Sequence, residues 1–240
     1  LENMGNEMST GVSVTLYEVS DNPYISIVDG FGSISNLSNG SQTSFNLSFN
    51  VSSSAPMGHS FSLELALDSE ENQSIVMLNM AIEAMTESFE NNGFSSQSWG
   101  FGGDSDWEID SGNSSNGIFS AKSGVIDHNM SSELILEMEV LEDGYIQFDK
   151  RVSCEAVGSS SGNYYDYLAF YIDGVEQNKW AGEVAWSQSS FPVSTGEHTF
   201  KWVYIKDQAV VGGADAVWVD NIIFPPCFGS EGALLGDSNY

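Results

Sequence analysis

Apolar and polar residues alternate with period two along most of this chain, the pattern of strands with one buried and one wet face. Val12, Val14 and Leu16 alternate with Ser13, Thr15 and Tyr17, and Ile25 and Ile27 follow Pro23. Phe45, Leu47, Phe49 and Val51 alternate with Asn46, Ser48 and Asn50. Phe61, Leu63, Leu65 and Leu67 do the same, as do Val76, Leu78, Met80 and Ile82. Turn chemistry separates these runs at Asp29-Gly30, Asn39-Gly40, Ala55 to Gly58 and Asp68 to Asn72. The stretch from Met77 to Met85 also admits a helix, but the strands before it favour an edge-to-core strand. Short strands at this spacing predict a small Ig-like sandwich over residues 12–85, after a polar tail or linker at 1–11.

A second unit begins near Thr86. Residues 88–132 are rich in Gly, Ser and Asn, with interspersed aromatics, and then the alternation resumes. Leu134 to Val140, the Asp143-Gly144 turn and Tyr145 to Ser153 read as a hairpin by spacing. Leu168, Phe170 and Ile172 lead into Asp173-Gly174. Phe200, Trp202 and Tyr204 mark a further strand, and Val217 to Phe224 runs until Pro225-Pro226. No amphipathic helix is apparent. Residues 86–226 fit a jelly-roll sandwich, with a Gly- and Ser-rich tail at 227–240. The fold class predicted is all-β, an Ig-like β-sandwich followed by a jelly-roll β-sandwich.

Charge changes the picture. The chain carries 34 Asp and Glu against 6 Lys and Arg, a formal net charge of −28. At 41% hydrophobic and 12% aromatic it has the apolar content for a real core, so this is not a disordered acidic tail. So much self-repulsion calls for screening by salt or for bound cations, which points outside the cell and to calcium. Six basic residues cannot build a phosphate-tracking groove on such a body, so nucleic acid and anionic membrane surfaces are excluded as partners. No apolar run approaches the roughly 20 residues that span a bilayer, so membrane insertion is not expected. No signal peptide opens the chain, and a start at Leu1-Glu2-Asn3 reads as a mature form or an excised piece. Asn-x-Ser sequons stand at Asn36, Asn39, Asn46, Asn50, Asn72, Asn113 and Asn129, and matter only in a host that glycosylates them.

Several constellations invite chemistry. Asp104, Asp106, Glu108 and Asp110 alternate along one segment but lack the spacing of an EF-hand, and read as a solvated acidic loop. Trp107-Glu108-Ile109-Asp110 resembles the start of a jelly-roll glucanase motif, yet the closing acid is replaced by Gly112 or Asn113. A retaining mechanism needs that second carboxylate about 5 Å away. Gly158 to Gly162 spells Gly-x-Ser-x-Gly without the helix that such a nucleophile elbow requires. His59, His128 and His198 are far apart in sequence and read as surface or turn residues. Cys154 and Cys227 each follow a strand end. They form either a disulfide, which would be worth about 4 kcal/mol, or two free thiols, and their Cα separation decides. Tyr164 and Tyr165, in a polar loop, and Trp99 are candidate sugar-stacking surfaces. Trp180, Trp186, Trp202 and Trp218 lie in strand-patterned segments and are assigned to the core.

The second unit resembles the cleaved-adhesin and MAM-type jelly-roll modules of secreted, gingipain-like bacterial proteins. The resemblance rests on Glu87-Ser88-Phe89-Glu90, Asp166 to Gly174, Trp180 to Val184, Gly196 to Trp202 and Trp218 to Ile222. The first unit is similar to the Ig-like domain that often precedes such modules, through Asp21 to Ile25 and Ala55 to His59. The resemblance implies a secreted, non-catalytic, often calcium-binding module directed at glycan or cell-surface material. It also implies that Glu90 and Asp220 lie side by side on paired first and last strands, as ligands of a structural calcium, with Glu87 and Asn221 as further ligands. Asp220 sits inside an apolar run, where an unpaired carboxylate would be costly. Two other readings stay open: a structural subunit of an extracellular filament that self-assembles through its tails, and a jelly-roll glycoside hydrolase.

Overall fold

The structure is a computed structural model that describes residues 1–159 and 162–228. It is all-β, with no helix among the described residues. The chain divides into two compact units: Leu1–Ala55 with His59–Glu83, and Pro56–Gly58 with the residues from Ala84 onward.

The first unit holds β1 (Ser9–Glu18), β2 (Ile25–Asp29), β3 (Phe31–Leu37), β4 (Ser48–Val51), β5 (Ser60–Asp68) and β6 (Gln73–Ala81). A four-stranded antiparallel sheet runs β3-β1-β5-β6, and β2 pairs with β4 in a second sheet. Its core is small: Leu16, Ile25 and Leu63 are buried, and Ile27, Phe49 and Phe61 pack against them. Two expectations change here. β3 carries too few apolar residues to read as a strand, but it pairs with β1 from Ser9↔Leu37 to Thr15↔Phe31. Gly32 is needed within it, because a Cβ there would clash with the ring of Phe45. The expected tail at 1–11 is partly strand, since β1 begins at Ser9. Ahead of it Asn3 is buried, with its amide donating to Leu37 O and Glu7 O at 2.8 Å each. The Met77 to Met85 ambiguity resolves as β6, an edge strand whose residues are all exposed.

The second unit contains β7 (Thr86–Glu87), β8 (Gly100–Gly103), β9 (Glu108–Asp110), β10 (Ser120–Lys122), β11 (Ser131–Val140) and β12 (Gly144–Ser153). It continues through β13 (Tyr167–Ile172), β14 (Val175–Trp180), β15 (Glu183–Val193), β16 (Gly196–Ile205) and β17 (Ala216–Ile223). One sheet runs β15-β12-β17-β10-β9, with β7 beside β17, and the other runs β14-β13-β16-β11-β8. Alternate residues of both meet in an aromatic core. Phe148 lies 4.8 Å from Phe170 and 5.4 Å from Trp202, ring centroid to ring centroid.

The hairpin read across Asp143-Gly144 is corrected. β11 pairs with β16 and β8, whereas β12 pairs with β15 and β17, so the turn carries the chain from one sheet to the other. The Asp143 carboxylate accepts the Thr195 N–H at 2.8 Å and the Thr195 hydroxyl at 3.1 Å, pinning the crossover to another loop. The first and last strands of this unit do pair, Glu87 opposite Ile222.

Candidate functional site

Residues 168, 170 and 172 of β13 point into the core, so Tyr167 and Tyr171 face outward on the five-stranded sheet. β16 lies alongside with Lys201 opposite Tyr171, and the Lys201 ammonium stands 5.6 Å from that ring's centroid. Lys201 also binds Glu133 of β11, at 3.2 Å. On the other side of β13, Lys179 of β14, opposite Ala169, stands 5.2 Å from the Tyr164 ring and 5.4 Å from the Tyr167 ring. Tyr164 and Tyr167 meet edge to face at 5.9 Å. Two of the six basic residues of this acidic chain thus sit over tyrosine rings on one sheet face. An open cleft of about 510 Å³ is lined by Gly162, Asn163, Tyr164, Tyr165, Tyr167 and Lys179. A second hollow of about 300 Å³ includes Glu133, Tyr171 and Lys201. Exposed ring faces flanked by amide, carboxylate and ammonium groups can stack on an apolar face and hydrogen-bond hydroxyls around it.

Of the proposed sugar-stacking residues, Tyr164 and Tyr165 line this cleft, but Trp99 does not. Trp99 is half-buried against Phe89 and Trp202, at 5.8 and 6.0 Å, and its indole N–H donates to Glu87 Oε2 at 3.3 Å. Its assignment to a ligand surface is therefore corrected: it closes the edge of the core. Trp202 and Trp218 are core residues, and Trp180 packs against the core with the Lys150 ammonium 4.8 Å from its ring centroid. Tyr167 was weighed beside Tyr164 and Tyr165 from the sequence; Tyr171, which sequence reasoning left out, joins it on this face because strand alternation aims both outward.

Two of the carboxylates proposed as calcium ligands, Glu90 and Asp220, converge on the loop at 113–119. Glu90 Oε1 accepts the N–H groups of Ile118 and Phe119, at 2.8 and 2.9 Å. Asp220, fully buried, accepts Ser115 N–H at 2.8 Å and Asn116 N–H at 3.2 Å on Oδ2, and Asn221 N–H at 2.7 Å on Oδ1. Burial pushes the Asp220 carboxyl above its usual range, although these N–H groups pull it down. Asn221 donates its amide to Asp149 Oδ2 at 3.4 Å. Glu87 is committed elsewhere: it accepts Phe89 N–H at 2.7 Å, the Ser96 hydroxyl and the Trp99 indole. Backbone N–H groups thus meet the cost of burying Asp220, the need that suggested an ion there.

The disulfide is corrected. Both cysteines are free and buried. Cys154 follows the last residue of β12, while Cys227 pairs with Val140 and Met57, next to the Pro226 that abuts Gly144 at the first residue of β12. A ten-residue strand separates them, about 30 Å at 3.3 Å per residue, far beyond the roughly 7 Å limit for a bridge. The acidic segment is not a joint site either. Asp104 caps Ser131 N–H at 2.9 Å, Glu108 pairs with Lys122 at 2.8 Å, and Asp110 accepts the Trp218 indole at 2.7 Å. His59, expected at the surface, is buried beside Tyr24. The Gly-x-Ser-x-Gly stretch has its central Ser160 outside the described residues.

One cluster was missed. Glu155, Asp166 and Asp207 bring carboxylate oxygens within 4.8 Å of one another, the one group of three metal-capable side chains among the described residues, and it could hold a metal ion. Asp166 had been noticed only as part of a strand motif. Nothing in sequence spacing joins Asp166 to Asp207, because the link is the β13–β16 register.

No family model matches the chain, and no curated protein sequence does. Among solved structures, it is similar to the secreted serine protease VesC of Vibrio cholerae at 15% identity and a TM-score of 0.43. That likeness covers 95% of this chain and 46% of the protease, so the chain spans about half of that protein's length. The K1 cleaved adhesin domain of Lys-gingipain from Porphyromonas gingivalis is 12% identical, with a TM-score of 0.43, over 58% of this chain and 95% of that domain. A xylan-binding domain of Paenibacillus barcinonensis is 14% identical, with a TM-score of 0.38, over 61% of this chain and 95% of that domain.

Proposed function

We propose that this chain is a non-catalytic extracellular binding module that recognises glycan or cell-surface material on the outer face of its five-stranded sheet, with calcium as a structural support. The observation that carries this reading is the row of Tyr164, Tyr167 and Tyr171, flanked by Lys179, Lys201 and Glu133 on that face. Tyrosines present apolar area at low entropic cost, and the neighbouring ions offer donors and acceptors to sugar hydroxyls. The acid excess argues against polyanionic partners and favours neutral or cationic surfaces. The motif resemblance from Glu87 to Ile222 supports a secreted setting. No helix of the described residues is long and apolar enough to cross a membrane. The test is a glycan array probed with the intact chain and with Tyr171→Ala. Binding to a defined sugar class by the intact chain, weakened at least tenfold in the variant, is expected. Equal binding by both would remove the tyrosine face from the account.

A second reading has its own observation. β6 is an edge strand that exposes Ile75, Val76, Met77, Leu78 and Met80, an apolar edge open to strand addition by another chain. This favours the structural-subunit alternative. Sedimentation of the intact chain against Val76→Lys tests it: assembly that the lysine abolishes supports it, and a monomer at all concentrations refutes it. The C-terminal tail that was also proposed to mediate assembly lies, from residue 229, outside the described residues.

A further inference from the structure

We propose that Glu155, Asp166 and Asp207 form a calcium site that ties together the ends of β12, β13 and β16. This rests on the calcium half of the reading above and is independent of its glycan half.

The fold builds the site from three strand ends. Glu155 lies two residues beyond β12, Asp166 immediately before β13 and Asp207 two residues beyond β16. Because Tyr167 pairs with Ile205, Asp166 is drawn up to Asp207, whose N–H donates to Asp166 Oδ1 at 3.0 Å. The other oxygen, Asp166 Oδ2, is buried without a partner on a fully buried residue, and Glu155 Oε2 is likewise buried and unpartnered. Two residues at opposite ends of one loop, each with an unpartnered buried oxygen, therefore share one acidic cluster. The buried cation nearby, Lys206, is committed to Asp215.

Three carboxylates in contact need a counter-charge or protons. An all-oxygen anionic donor set selects a hard cation. Calcium takes six to eight oxygens in a flexible shell, while magnesium keeps several of its waters and is held by one or two carboxylates. A set of three carboxylates therefore suits calcium. The adjacent Cys154 thiol is engaged by the Asp166 carbonyl oxygen, 3.2 Å away, and is not among the side chains that meet in the cluster. The ion would tie Asp166, next to Tyr165 and Tyr167, to the ends of β12 and β16.

The test is calorimetric titration of the intact, chelator-stripped chain with calcium, beside Asp207→Asn, Glu155→Gln and Glu90→Gln. Asp207 and Glu155 are only half-buried, so their isosteric variants test the site with little demand on folding. The expected result is calcium binding that weakens at least tenfold in Asp207→Asn and in Glu155→Gln and persists in Glu90→Gln. If the intact chain binds no calcium at millimolar concentration, this proposal and the calcium half of the functional reading both fall. If calcium binds but only Glu90→Gln weakens it, the triad is refuted and the calcium reading survives at the other loop.

Discussion

Replacing Asp220 by Asn tests what holds the loop at 113–119. The carboxylate is fully buried and accepts three backbone N–H groups, two of them on Oδ2. An Asn side chain can keep its oxygen at the Oδ2 position, facing Ser115 and Asn116, but then turns its NH₂ group toward the Asn221 N–H. One hydrogen bond to a charged group is lost, about 1.5–3 kcal/mol, and the other two weaken to bonds with a neutral acceptor. Relief of the desolvation cost of a buried charge offsets part of this, leaving a net loss of about 1–3 kcal/mol. Urea unfolding, followed by tryptophan fluorescence, should show that loss equally with calcium and with chelator, because N–H groups do the holding. A loss below about 1 kcal/mol, or one that appears only with calcium and disappears with chelator, would refute the reasoning and return an ion to Asp220.

Three further outcomes follow from the same structure. Burial pushes the Cys154 thiol up to about 12 and the Cys227 thiol up to about 11, so neither should react with a disulfide reagent at pH 8 until the protein unfolds, and mass spectrometry should find no bridge. Trp202→Ala, at a fully buried ring against Phe170 and Phe148, should cost the second unit about 3–5 kcal/mol by urea unfolding. For Asp110, burial pushes the carboxyl up, but hydrogen bonds from Gly112, Trp218 and Asn113, with the Lys122 charge, outweigh it and hold the group below 3.8. Its stabilising contribution is therefore complete above that value and lost as pH falls through the depressed one, so Asp110→Asn should lower stability at pH 7 and flatten the acid limb of the unfolding curve.

The strands were legible wherever alternation was strong. Phe200, Trp202 and Tyr204 announced β16, and Val217 to Phe224 announced β17, because large apolar side chains on alternate positions have one place to go. β3 was not legible, since its Gly and Ser residues pair through backbone hydrogen bonds that leave no hydrophobic pattern. The Asp143-Gly144 turn misled because turn chemistry reports a reversal of the chain without saying whether the two strands share a sheet. Tyr164 and Tyr165 could be placed on a surface from their polar loop. Trp99 could not, because its loop folds back and buries the ring through contacts distant in sequence. The same limit hid the acidic triad: Asp166 and Asp207 become neighbours only through the pairing of β13 with β16, and Glu155 joins them from the end of β12 in the other sheet.

The central claim is that ligand binds the tyrosine face. Hydrogen exchange of the intact chain, with and without a glycan that it retains, tests this most directly. The account predicts added protection concentrated in β13, β14 and β16 and in the segment around Tyr164. Protection confined to β6, or no change at saturating glycan, would contradict it.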